Sequence, residues 1–209
     1  MQDQRVKDGS ESGVTAFVLA GGKSSRMGSD KAFLRFGDET LLSHALKVAG
    51  AAAGEVRIVG DAKKFAAFGR VVEDVYRDRG PLGGIHAALS SSATELNLML
   101  AVDLPFVGEK FLAYLLSRAR EYGAIVTLPR AGGGFQPLCA AYRRGFAEVA
   151  EESLRNGKNK IDSLFARVRT CVIEEDELVR ASFSAEIFRN LNTPDELEKA
   201  KNLRFGQER

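Results

Sequence analysis

Short apolar runs alternate with segments of helical period along most of this chain, the pattern of repeated strand–helix units. Val14 to Leu19 has the length and flanks of a buried strand. Thr40 can cap a helix that carries Leu41, Leu42, Ala45, Leu46 and Ala49 on one side. Val56 to Val59 reads as a strand, Asp61 to Phe68 as a short helix, and Arg70 to Glu73 as another strand. Pro81 and the glycines after it break the chain before a helix from about Ile85 to Ser91. Asn97 to Val102 is the most apolar strand candidate, which predicts a central place in the sheet. Gly108 to Tyr122 is helical, with Phe111, Leu112, Leu115 and Leu116 as its core face, and Ala124 to Leu128 is strand-like.

Beyond that point the pattern changes. Gly132-Gly133-Gly134 makes a turn and Phe135 to Tyr142 an extended return, so the sheet is expected to be mixed rather than wholly parallel. Arg144 to Arg155 and Asp162 to Val168 read as helices, Thr170 to Ile173 as a strand, and Ile187 to Arg189 as extended. Thr193 caps a last helix through Leu203, with Pro194 at its first position. All five prolines are assigned to element edges or turns. The sum is an α/β fold: a three-layer α/β/α, Rossmann-like arrangement around a mostly parallel, mixed central sheet. Residues 1–12 read as a disordered polar tail and 13–209 as a single domain.

Composition narrows the function more by exclusion than by suggestion. The chain has 209 residues, enough for one sheet-centred domain, and its 44% hydrophobic and 28% charged residues suit a soluble globular protein. A net charge of +2 gives no long-range pull toward nucleic acid or an anionic membrane. Anion recognition must therefore be local to a loop. No apolar run reaches the length of a membrane span, about 18 residues, and the polar start from Met1 to Gly13 has no secretory core. Cys139 and Cys171 are far apart and lack metal-ligand spacing, which fits reduced thiols in a cytoplasmic protein. His44 and His86, the two histidines, both fall in helix-like segments, which argues against zinc or a catalytic imidazole.

Candidate chemistry begins where the first strand runs into Leu19-Ala20-Gly21-Gly22-Lys23-Ser24-Ser25-Arg26-Met27-Gly28-Ser29-Asp30-Lys31. Backbone N–H groups converge on a phosphate only where no Cβ blocks the approach, and Gly21, Gly22 and Gly28 remove that block. Arg26 adds a planar fork for paired phosphate oxygens and Lys31 a point charge on a flexible stem. Two commoner phosphate loops are excluded. A Walker A loop needs glycine where Phe17 stands, and the Rossmann G-x-G-x-x-G spacing is absent. Ligands of open α/β sheets sit at the carboxyl ends of strands, where Glu73-Asp74 and Asp103 also fall. Asp103 alone reads as a helix cap as readily as a Mg²⁺ ligand; the phosphate loop at the same sheet edge favours the metal.

The segment from Leu19 to Lys31 resembles the signature loop of the nucleotidyltransferases, and most of all that of the molybdenum cofactor guanylyltransferases. The resemblance runs from Val14 to about Leu203 and includes Val72-Glu73-Asp74, Arg79-Gly80-Pro81-Leu82-Gly83-Gly84-Ile85, Val102-Asp103-Leu104-Pro105-Phe106, Gln136-Pro137-Leu138 and Asn190-Leu191-Asn192-Thr193-Pro194. It implies transfer of GMP from GTP to the terminal phosphate of molybdopterin, with pyrophosphate leaving and Mg²⁺ on Asp103. Arg26, Lys31 and Asp103 are then catalytic. Leu19, Ala20, Gly21, Gly22, Lys31, Asp74 and Asp103 contact GTP, and Asn190 with Asn192 contacts molybdopterin. Around Val59-Gly60-Asp61, where relatives can carry a nucleotide-contacting Asn, this chain has none. Gly157-Lys158-Asn159-Lys160 can hold the acceptor phosphate or be a solvated charge run, and Gln136-Pro137 can shape the same cleft. Transient contacts with proteins that deliver or receive the cofactor are also expected.

Two rival readings stand beside this one. A cytidylyltransferase acting on molybdopterin or a sugar phosphate more often carries L-A-A-G where this chain has Ala20-Gly21-Gly22, and often lacks an acid at the position of Asp30. A catalytically silent nucleotide-binding regulatory module has no need to keep Arg26, Lys31 and Asp103 together.

Overall fold

A computed structural model describes residues 13–21, 30–76 and 78–191. The first strand, β1 (Val14–Leu19), alternates its side chains between two cores: Ala16 and Val18 join one and Phe17 the other. A hairpin of β2 (Arg35–Phe36) and β3 (Glu39–Thr40) precedes α1 (Leu41–Ala52), whose Thr40 cap accepts from Ser43 N as expected. There follow β4 (Glu55–Val59), α2 (Ala62–Phe65), β5 (Val71–Val72), α3 (Pro81–Ser91), β6 (Leu96–Ala101), α4 (Glu109–Tyr122) and β7 (Val126–Ala131). The remainder is β8 (Gly134–Phe135), β9 (Cys139–Arg143), α5 (Phe146–Arg155), α6 (Asp162–Phe165), β10 (Thr170–Ile173) and α7 (Glu175–Arg180).

The main sheet has the order β10-β7-β9-β6-β1-β4-β5, with β8 paired to β7. β9 runs antiparallel to both β6 and β7, and β8 is antiparallel to β7; the remaining pairs in this sheet are parallel. Helices α1, α4 and α7 pack on one face and α3, α5 and α6 on the other, giving three layers. Burying a ring such as Phe17, fully inaccessible here, contributes about 1.5–3 kcal/mol. β6 is buried along its whole length and lies between β9 and β1, the central position its composition predicts.

Several boundaries differ from the sequence reading. Pro81 does not end an element; it opens α3, because its fixed φ suits a first helical turn and Gly80, at φ +67°, makes the entry bend. Gly83 and Gly84 lie in the first turns of this helix, where space is short: a Cβ would stand 2.6 Å from Asp74 Oδ2 on Gly83 and 3.3 Å from Val59 Cγ1 on Gly84. Pro129 lies inside β7 rather than at an edge. The ladder to β9 has ended at Thr127 by then, so no strand partner there requires the missing N–H. Ile187 is not extended but part of a 3₁₀ turn, Ala185–Phe188, that buries Phe188. The hairpin and α7 carry too little periodicity to stand out. The tail at 1–12 and the helix expected from Thr193 lie outside the described residues.

Candidate functional site

The chain leaves β1 for β4 on one side and returns to β6 on the other, so the carboxyl ends of β1 and β6 border the crevice where the strand order reverses. Leu19 pairs with Ala101 in that register, and Val102 N donates to Leu19 O at 3.2 Å. Asp103 follows directly. Lys31 reaches it from the short 3₁₀ turn Lys31–Phe33, with Nζ 3.4 Å from Asp103 Oδ2 and both side chains about three-quarters buried (24% exposed each). Asp30 caps that turn through Ala32 N and pairs with Lys64 at 2.9 Å.

The turn that carries Asp103 is held from three sides. His44 Nε2 lies 2.9 Å from Pro105 O, while its Nδ1 lies 2.8 Å from Glu39 Oε1. Phe106 meets Phe36 at a steep angle and lies under the Arg189 guanidinium, 5.0 Å from its ring centre. Leu191 N donates to the Asp103 backbone O at 3.2 Å, and exposed Asn190 directly precedes it in the chain. Ala101 N donates to Leu138 O at 2.7 Å, so the Gln136-Pro137-Leu138 segment borders the same crevice, with Gln136 Nε2 on Ala131 O. His44 gave no site signal in sequence. Its role appears only once α1 lies beside the Pro105 carbonyl.

Other expected residues are placed less simply. Ala20 N and Gly21 N both donate to Val59 O at 3.0 Å, so these amides bind the neighbouring strand rather than an anion. A Cβ on Gly21 would meet Gly60 Cα at 3.6 Å, an ordinary contact, so packing alone does not require glycine there. Asp74, after β5, lies three strand steps from Asp103, about 14 Å at the usual spacing. Its Oδ1 accepts from Tyr76 N at 2.8 Å, and its carboxylate covers Gly83 in the first turn of α3. Glu73 accepts from Ala62 N and so serves the start of α2. Lys158 and Lys160 are exposed beyond the end of α5. Gly22, Arg26 and Asn192 lie outside the described residues.

Among the described residues there is no cluster of three or more metal-ligating side chains. A single carboxylate flanked by a lysine nonetheless suits Mg²⁺, which keeps several waters and takes the rest of its shell from substrate phosphates. His86, in α3, is buried, and burial holds its imidazole below the ordinary value of 6.5. His44 meets the Asp103 turn at the Pro105 carbonyl, two residues from the acid, and not at the carboxylate pair described above.

The chain matches the family model of the MobA-like NTP transferase domain over residues 16–171. It is 38% identical over 201 residues to a probable molybdenum cofactor guanylyltransferase of Pelotomaculum thermopropionicum, covering 93% of this chain and 97% of that one. A protein of the same description from Clostridium perfringens is 32% identical over 188 residues, with 88% and 94% covered. Among solved structures, molybdopterin-guanine dinucleotide biosynthesis protein A of Archaeoglobus fulgidus shares the fold with a TM-score of 0.79 at 24% identity, covering 92% of this chain and 99% of that one. The Lys31–Asp103 ion pair at the switch point of this sheet is thus found in a chain that belongs to the MobA-like NTP transferase family, a family of nucleotidyltransferases.

Proposed function

We propose that this chain transfers GMP from GTP to the terminal phosphate of molybdopterin, releasing pyrophosphate and forming the guanine dinucleotide cofactor. The observation that carries the reading is the Lys31–Asp103 pair at the switch point, in a chain whose relatives are named guanylyltransferases. A phosphate oxygen of the acceptor forms a bond to the α-phosphorus of GTP as the bond to the bridging oxygen breaks, and pyrophosphate leaves with that electron pair. The acceptor is a phosphate monoester already ionised near neutral pH, so no general base is needed.

Catalysis then consists of alignment and charge neutralisation. Lys31 takes charge on the transferred and leaving phosphates, with Arg26 assigned the same task. Each preorganised cation is worth about 3–4 kcal/mol in the transition state. Asp103 would hold Mg²⁺, which when bound with the nucleotide neutralises charge on the α-phosphate oxygens. Leu19, Ala20 and Gly21 line the nucleotide, and Asp74 takes its base or ribose at the far end of the crevice. Asn190 and Asn192 face the pterin, whose edge an amide can meet both as donor and as acceptor. The unpaired thiols of Cys139 and Cys171 suit a cytoplasmic setting.

The test is a panel of GTP, CTP, ATP and UTP with Mg²⁺ and molybdopterin, read as pyrophosphate release. A site built around one base edge can discriminate by about 10⁴ when that edge is missing, so GTP should be the productive donor. Equal or better turnover with CTP would move this chain to a cytidylyltransferase. Nucleotide binding without any pyrophosphate release would make it a regulatory module.

A further inference from the structure

Tyr76 stands in the turn that carries Asp74 and ties it to two helices. Its backbone N–H donates to Asp74 Oδ1 at 2.8 Å. Its ring makes a T-shaped contact with the His86 imidazole on α3, centroids 5.1 Å apart and planes at 75°. Its hydroxyl donates to Glu151 Oε1 on α5 at 3.3 Å, and Arg155 holds that same oxygen at 2.7 Å. On its other side the turn rests on Gly83, where a Cβ would stand 2.6 Å from Asp74 Oδ2 and 2.8 Å from Tyr76 O. The carboxylate is therefore held by the Tyr76 amide on one side and packed against α3 at Gly83 on the other.

His86 makes the purpose of the ring contact clearer. Its Nε2 lies 3.2 Å from Ser90 Oγ, but its buried Nδ1 has no hydrogen-bond partner among the described residues. What this imidazole offers the turn is a surface for Tyr76 rather than a hydrogen bond. An aspartate has a short arm, and a hydrogen bond to a base edge weakens steeply with sub-ångström displacement. Discrimination among bases then depends on how firmly the turn is held.

We propose that Tyr76 is a positioning residue for base selection: by tying its turn to α3 and α5, it fixes the Asp74 carboxylate where the nucleotide base is read. This rests on the reading above that Asp74 contacts the base. The ring and the hydroxyl act through Asp74 and touch neither substrate nor reacting atoms.

The test is a double-mutant cycle on the full chain, with GTP and ATP binding followed by calorimetry in Mg²⁺ and turnover measured at saturating GTP. Tyr76→Ala should weaken GTP binding about tenfold and lower the GTP-to-ATP preference equally, while saturated turnover stays within about twofold. In an Asp74→Ala background the same substitution should change GTP binding by less than about twofold, because its route of action is gone. Tyr76→Phe, which keeps the ring contact with His86, should recover at least half of the lost preference. Equal weakening of GTP and ATP, or an undiminished effect in the Asp74→Ala background, would overturn the proposal. Should Tyr76→Ala fail to fold, Tyr76→Leu takes its place with the same expected and overturning results. A wild-type chain that prefers another nucleotide would refute guanine selection. The cycle run on that nucleotide then decides Tyr76 separately: coupling to Asp74 supports its role and additivity overturns it.

Discussion

Lys31 Nζ and Asp103 Oδ2 lie 3.4 Å apart although 72 residues separate them in the chain. The contact exists because β1 and β6 are parallel neighbours whose last paired residues are Leu19 and Ala101. It sets a cation and an anion side by side at the sheet edge, the arrangement on which the proposed phosphate and Mg²⁺ roles rest. Neither side chain is fully buried, so the pair can part when a charged ligand arrives.

Asp103→Asn should keep the fold and lower turnover by about 10²–10³, since an amide carries no charge and is a poor Mg²⁺ ligand. Turnover against Mg²⁺ concentration is the measurement. A near-normal rate with unchanged Mg²⁺ dependence would remove Asp103 from the metal site.

Lys31→Met should cost a similar factor in turnover but less than about 1 kcal/mol in stability, the scale of a partly exposed ion pair. Thermal melting and activity per folded molecule, measured together, check it. A large fall in melting temperature with normal activity would make Lys31 a structural partner only.

Gly83→Ala poses a contest with a calculable sign. Alanine in place of glycine within a helix normally gains about 1 kcal/mol. Here its Cβ would lie 2.6 Å from Asp74 Oδ2 and 2.8 Å from the backbone Tyr76 O, so the turn must shift. Overpacking of this kind costs about 1–3 kcal/mol, which outweighs the propensity gain. Denaturation should show a net loss of stability and titration a weaker affinity for GTP; a more stable variant with unchanged affinity would show the turn to be yielding.

Stability should fall as His86 gains a proton. Burial holds its imidazole below 6.5, opposed by nearby Glu151 and Asp74 and aided by Arg155. The unfolded chain therefore takes up a proton near 6.5 that the folded chain refuses. The contribution is fully present above that value and is lost as pH falls from 6.5 toward the folded value. Urea midpoints between about pH 5 and pH 8 should drop on acidification in the wild type and drop less in His86→Leu. Parallel profiles would show that His86 does not carry this dependence.

The sequence by itself determined the elements whose pattern is long or whose end is marked. The apolar run Val14–Leu19, the Thr40 cap, the periodic helix Glu109–Tyr122 and the antiparallel return of β9 were all legible as local chemistry. So were Asp74 and Asp103 as candidates, because each follows the end of a strand, and Lys31, because it closes the glycine-rich loop after β1. Tertiary structure alone decided the rest. Strand order is a matter of which apolar faces meet across distant segments, and it placed Lys31 against Asp103 and Asp74 three strands away. That Pro81 starts a helix rather than ending an element shows only in the packed fold, where Gly80 bends the chain into α3 and Gly83 lies beneath Asp74. The amides of Ala20 and Gly21 turned out to belong to Val59 O, and His44 to the Pro105 carbonyl. A hydrogen bond between residues far apart in the chain has no periodic signature, so only the packed fold could assign it.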